Sequence, residues 1–213
     1  MIKKYEYFLN ESEKFDYHYQ NRAELYVAQL CEEKLREEFN KFKNQEQPEE
    51  DPYGEELWEN EIDWHDLHPV IINILDEFYQ QWNWREAAIE EMEQNVIHFV
   101  HYYILDDGDV SYDPEKDRLV RTEHRQERGW DDNLSQEGAA MWILEKLGVI
   151  IPCVVILSKR NEEVLAKCES WGEAVKEFHK IIKEKNIDEW NCRYDMCSVT
   201  GKFSIYIMPV VPV

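Results

Sequence analysis

The chain has 213 residues, 43% of them hydrophobic, enough for a full core in one large domain or two small ones. A formal net charge of −22 argues against direct binding of nucleic acid or of an anionic membrane surface, and favours basic partners. Five cysteines, an odd number in a chain too long to need stapling, and an N-terminus without an apolar run point to a reducing cytoplasm, and no stretch approaches the roughly 18 apolar residues of a membrane span.

In chain order, the first predicted element is a long amphipathic helix from Ser12 to Lys43. Phe15, Tyr19, Tyr26, Val27, Leu30, Cys31, Leu35, Phe39 and Phe42 keep helical spacing, and Glu32, Glu33, Arg36, Glu37 and Glu38 occupy the other face. An acidic linker over residues 44–57 follows, with Pro48, Pro52 and Gly54 and no periodicity. Pro69 suits a first helical position and opens a helix carrying Val70, Ile71, Ile72, Ile74, Leu75 and Phe78. Asn83 and Glu86 have capping-box spacing, which predicts a second helix of more than five turns running to Leu105. Ile89, Met92, Val96, Phe99, Val100 and Tyr103 form its apolar stripe, and Glu91, Gln94, His98 and His101 fall on the opposite side.

At Asp106 the pattern changes, and a boundary there divides a helical region (1–105) from an α+β region (106–213). Asp107-Gly108 signals a turn, and Arg118 to Thr122 favours a strand. Asn133 and Gln136 have the spacing of a cap for a helix through Ala139, Met141, Trp142, Ile143 and Leu147, which Gly148 stops. Val149 to Ser158 reads as a buried strand pushed by Pro152 toward an edge or a bulge. A short helix is expected at Glu162 to Cys168, then one capped by Ser170 and Glu173 that runs to Asn186. Two strands, Arg193 to Val199 and Phe203 to Met208, flank Thr200-Gly201-Lys202. The order predicts an α+β fold, with a helical N-terminal half and a small mixed or antiparallel sheet with helices in the C-terminal half.

The strongest functional signal is an acidic belt. Between Lys43 and Arg85 there is no Lys or Arg, while acids and aromatic rings alternate. Residues 1–105 hold 25 acids and nine bases, a net of −16, which leaves −6 for residues 106–213. Carboxylates beside Trp and Tyr suit a basic surface that normally holds phosphates, because the acids supply charge and the rings desolvated anchors. The residues expected to contact such a partner are Glu49, Glu50, Asp51, Tyr53, Glu55, Glu56, Trp58, Glu59, Glu61, Asp63 and Trp64. Two plainer readings compete: a solvated acidic loop, or docking on the chain's own basic strip at Lys116, Arg118, Arg121, Arg125 and Arg128.

Two HxxH pairs, His65 with His68 and His98 with His101, offer an alternative metal site, completed by Glu91, Asp63 or Asp66. They lack the glutamate base of HExxH, and His68 before Pro69 reads equally as a helix-entrance residue. Cys192 and Cys197 form a single pair without the second pair a structural zinc needs. The Asp107, Asp109, Ser111, Asp113 series is not an EF-hand, since Tyr112 stands at the glycine position and Arg118 at the closing glutamate. No phosphate-loop, dinucleotide or nucleophile-elbow motif occurs. In composition the chain resembles small acidic inhibitors and immunity proteins, a likeness of composition and not of motif. The expectation is a non-enzymatic binding protein with a basic protein partner and no cofactor; a metal-dependent enzyme and a structural subunit of a larger assembly are the alternatives.

Overall fold

The computed structural model describes residues 17–43, 66–78, 88–102, 110–121, 134–160, 162–187 and 192–212. Five helices and two small antiparallel sheets among them make an α+β fold.

Helix α1 (Tyr17–Lys43) buries Ala23, Val27, Cys31, Leu35 and Phe39, each four residues after the last. A spacing of four on a 3.6-residue helix winds the stripe slowly round the axis, so α1 meets several neighbours along its length. Leu25 lies off the stripe and is exposed, and so is Tyr26, which helical spacing alone places on it: one residue before Val27, it is turned about 100° from the buried line. Helix α2 (Pro69–Phe78) starts at proline as expected, and His68 closes its first turn by accepting the Val70 N–H on Nδ1 at 3.2 Å. Helix α3 (Ile89–Phe99) is shorter than its periodicity suggested. Ala88 before it is extended, which excludes a helix running unbroken from Asn83, and the last turn widens to π geometry over residues 100–102. The proposed cap at Asn83 and Glu86 lies outside the described residues.

Strands β1 (Val110–Asp113) and β2 (Arg118–Arg121) form a hairpin, and α2 packs against β2. Helix α4 (Gln136–Lys146) is capped by Ser135, not Asn133: its Oγ accepts the Gly138 N–H at 2.9 Å. Seven consecutive residues, Gly138 to Leu144, are buried, because α4 is packed by α1, α5, β1 and the main sheet. Gly148, at φ 81°, ends it as expected, with Val149 N–H on the Leu144 carbonyl at 2.8 Å.

The main sheet has the order β4-β3-β6-β5, from β3 (Cys153–Ser158), β4 (Glu162–Cys168), β5 (Met196–Val199) and β6 (Phe203–Pro209). It departs from expectation in three places. Two strands begin later than expected, β3 at Cys153 rather than Val149 and β5 at Met196 rather than Arg193. The residues from Glu162 to Cys168 are a strand, not a helix: antiparallel pairing with β3 satisfies their backbone and overrides the helix preference of Glu-Glu-Val-Leu-Ala-Lys. Strand β3 is central rather than an edge, since Pro152 precedes it and leaves its amide ladder intact; a pairing irregularity does fall between Val155 and Ile156. The β5–β6 hairpin turns at Thr200-Gly201-Lys202 as read, with Gly201 at φ 72°. Helix α5 (Trp171–Glu184) is capped by Ser170, whose Oγ accepts the Glu173 N–H at 3.2 Å, and packs on β3, β4 and β6. Cys192 and Cys197 face each other across an isolated bridge with no disulfide between them.

A single cluster of buried side chains runs through α1, α2, α3, α4, α5 and the main sheet. Helix α1 packs on both α4 and β6, so elements from either side of Asp106 share that core.

Candidate functional site

The belt residues from Glu49 to Trp64 lie outside the described residues, as do His65, Arg125 and Arg128. The three described histidines of the HxxH pairs do not converge. His68 caps α2, His98 stacks on Tyr102 with ring centroids 5.6 Å apart, and His101 Nε2 lies 2.8 Å from Glu32 Oε2. Asp66 and Glu91 are exposed, and among the described residues no three metal-ligating side chains gather.

Glu32 belongs instead to a bond between helices. Burial works to raise its carboxyl, but hydrogen bonds from Arg36 and His101 outweigh that and hold it below the usual range. Arg36 bridges to buried Glu93 at 2.8 Å, and Lys43 pairs with the other oxygen of the same carboxylate. Thus α1 and α3 are tied through polar groups, of which Glu32, Arg36 and His101 are expected on polar faces from the sequence. The thiols are equally occupied by structure: burial pushes Cys31 up to about 12 and moves Cys153, Cys168 and Cys197 in the same direction. None of the four is a thiolate nucleophile at neutral pH.

The described residues do assemble an aromatic cleft of about 170 Å³ between the β1–β2 hairpin, the end of α4, the start of α5 and the segment before β5. Tyr112, Trp142, Trp171 and Tyr194 wall it, with Asp117, Glu145, Lys146 and Lys176 around them. Asp117 sits in the left-handed region at φ 48°, a conformation aspartate tolerates in a turn. From there Oδ1 accepts the Tyr112 hydroxyl at 2.7 Å and the Trp142 indole N–H at 3.2 Å, while Oδ2 pairs with the Lys146 ammonium. Burial works to raise the Asp117 carboxyl, and the hydrogen bonds from Lys146, Tyr112 and Trp142 overcome it and hold the group below its usual value. Burial and the same carboxylate push the Tyr112 phenol well up, so it stays a donor.

The ammonium of Lys146 lies 5.7 Å from the Trp142 ring centroid, within cation–π range. Tyr194 completes the wall, its centroid 4.8 Å from that of Tyr112 and 4.8 Å from that of His179. Glu145 accepts the Gly172 N–H at 2.9 Å and so places a carboxylate at the positive end of α5. A Cβ at residue 172 would come within 2.8 Å of that carboxylate, so the Glu145 side chain would have to shift to admit one. The buried indole N–H of Trp171 has no hydrogen-bond partner among the described residues.

Chemically this is a cation cradle: aromatic faces and a low-lying carboxylate around an ammonium supplied by the chain itself. Sequence reasoning missed it because the hairpin pair Tyr112 and Asp117, the α4 pair Trp142 and Lys146, and Tyr194 before β5 come from three separate segments, which only the fold brings together. The one local sign was the acid-rich turn after Tyr112. No family model, curated protein or solved structure matches this chain.

Proposed function

We propose that the chain is a non-enzymatic binding module, of inhibitor or immunity type, whose acidic, aromatic belt occludes a basic, nucleic-acid-handling surface on a partner protein. The observation that carries this reading is the distribution of charge: −16 of the −22 lies on residues 1–105, and no Lys or Arg interrupts the acids and rings between Lys43 and Arg85. Carboxylates steer a basic partner into contact, and Trp and Tyr supply the area that desolvates it. The Lys146 cradle supports the reading by example, since it pairs the same side-chain types, aromatic ring and carboxylate, around an ammonium.

The test replaces Glu49, Glu50, Glu55 and Glu56 by Gln and Asp51 by Asn. Low-salt capture from the native host is then compared for the two proteins. The unmodified chain should retain a basic protein that elutes as salt rises, because exposed charges are screened beyond about 8 Å at physiological ionic strength. The neutralised variant should lose that protein while melting within about 0.5 kcal/mol per substitution of the original. Capture of no basic protein, or equal capture by both forms, would remove the proposal. Destabilisation of the neutralised variant, together with Arg121→Glu and Arg125→Glu lowering the melting temperature, would assign the belt to self-docking instead.

A further inference from the structure

At one end of the main sheet the β3–β4 and β5–β6 connections flank a cleft of about 770 Å³, lined by Ser158, Lys159, Arg160, Ser198, Lys202 and Ser204, with Val199, Gly201 and Phe203. Every charged side chain in this lining is a cation, in a chain that carries 46 acids against 24 bases. The nearest carboxylate by strand register is Glu162, opposite Ser158; it lies outside the lining and accepts the Tyr206 hydroxyl at 3.2 Å. Among the described residues no ion pair engages Lys159, Arg160 or Lys202, and Lys159 instead lies 5.6 Å from the Phe203 ring centroid.

The hydroxyls are arranged as well as present. Ser158 pairs with Ser204 across β3 and β6, and Ser204 with Ser198 across β6 and β5, so directly opposed residues set three hydroxyls in one row on one face of the sheet. Ser198 Oγ and Ser204 Oγ are 3.2 Å apart, which uses one hydroxyl proton between them. That leaves one proton of the pair, with the Ser158 proton, for a ligand. Gly201 at φ 72° has open space where a side chain would stand, so the rim of the cleft is low on that side.

From this row of hydroxyls in a cleft lined by three cations we infer that the cleft binds the phosphate of a phosphomonoester. Such a group is close to a dianion at neutral pH and presents three acceptor oxygens, which match the donors of the row and the charge of the turns. The cleft is open to solvent, so a group attached to the phosphate extends out of it without obstruction, whereas a polyanion meets the field of the whole chain. The same chemistry is offered by a free nucleotide and by a phosphorylated side chain of a partner. Phosphate binding at this cleft does not depend on the acidic belt.

The experiment is calorimetric titration of the full chain at low salt with three probes: inorganic phosphate, adenosine monophosphate and a phosphoserine peptide, with the unphosphorylated peptide as control. Saturable binding is expected at roughly millimolar strength for inorganic phosphate and about tenfold tighter for the better of the two larger probes. Preference for the nucleotide assigns a free metabolite as the source, and preference for the peptide assigns a phosphorylated partner. The double variant Arg160→Gln, Lys202→Gln should weaken all three by at least about tenfold, and Ser204→Ala by severalfold, with melting temperatures close to that of the unmodified chain. Should the double variant fold poorly, Ser204→Ala alone decides. Absence of saturation by every probe up to about 10 mM would overturn the inference, as would equal binding by the folded variants or by the unphosphorylated peptide.

Discussion

Asp195 shows how much a single buried carboxylate organises. It is 3% exposed and accepts the Ser135 N–H at 3.0 Å and the Ser135 hydroxyl at 2.6 Å, and Ser135 in turn caps α4 through Gly138. A Cβ at residue 138 would lie 1.8 Å from Asp195 Oδ2. Helix propensity favours Gly138→Ala by about 1 kcal/mol, yet here the added methyl must displace a short side chain that is buried and held by two bonds. Overpacking of this kind costs roughly 1–3 kcal/mol, and the displaced carboxylate loses its donors besides. Gly138→Ala should therefore lower stability in urea titration; an unchanged or higher midpoint would mean that Asp195 moves without cost. None of this was legible locally. By spacing, Asn133 with Gln136 is the expected cap, and the bonds that fix Ser135 there instead come from a residue 60 positions away.

Elements were legible where their own residues decide them. Val27, Cys31, Leu35 and Phe39 on α1, Pro69 at the start of α2, the Ser170 cap of α5 and the turn at Gly201 all follow from local chemistry and appear where expected. Strand β4 was misread because its composition favours a helix and its pairing partner, β3, is what makes it a strand. The same contrast predicts energetics along α1. Leu35 is fully buried, and Leu35→Ala should cost about 2–5 kcal/mol through lost burial and the cavity left behind. Leu25 is 62% exposed on the same helix, and Leu25→Ala should change stability by no more than about 0.5 kcal/mol. Denaturant midpoints for the pair check this, and similar losses at both positions would mean that the exposed side of α1 is covered in solution.

Across the whole molecule negative charge prevails, and the fold places two carboxyls where they resist ionising. Glu24 on α1 is pushed up to about 7 by burial and by Glu137 on α4, and Asp195 to about 6 by burial, which its bonds from Ser135 only partly offset. A carboxyl whose folded pKa lies above its unfolded value holds its proton more tightly when folded. Its contribution is present in full below the unfolded pKa and is lost as pH rises through the folded one. Stability should therefore increase as pH falls from 8 to about 5.5, Asp195 contributing on the order of 3 kcal/mol at most over its full range. Relief of self-repulsion acts in the same direction. Asp117 and Glu32 act oppositely, being held below their usual values, but their loss begins only at more acidic pH. Thermal melts at pH 8 and 5.5 in the same moderate salt give the sign. Glu24→Gln with Asp195→Asn separates the local carboxyls from the general field, because it removes both titrations and keeps most of the net charge. That variant should gain less on acidification than the unmodified chain. A melting temperature that falls toward pH 5.5, or an equal gain in both proteins, would show that these carboxyls do not set the pH response.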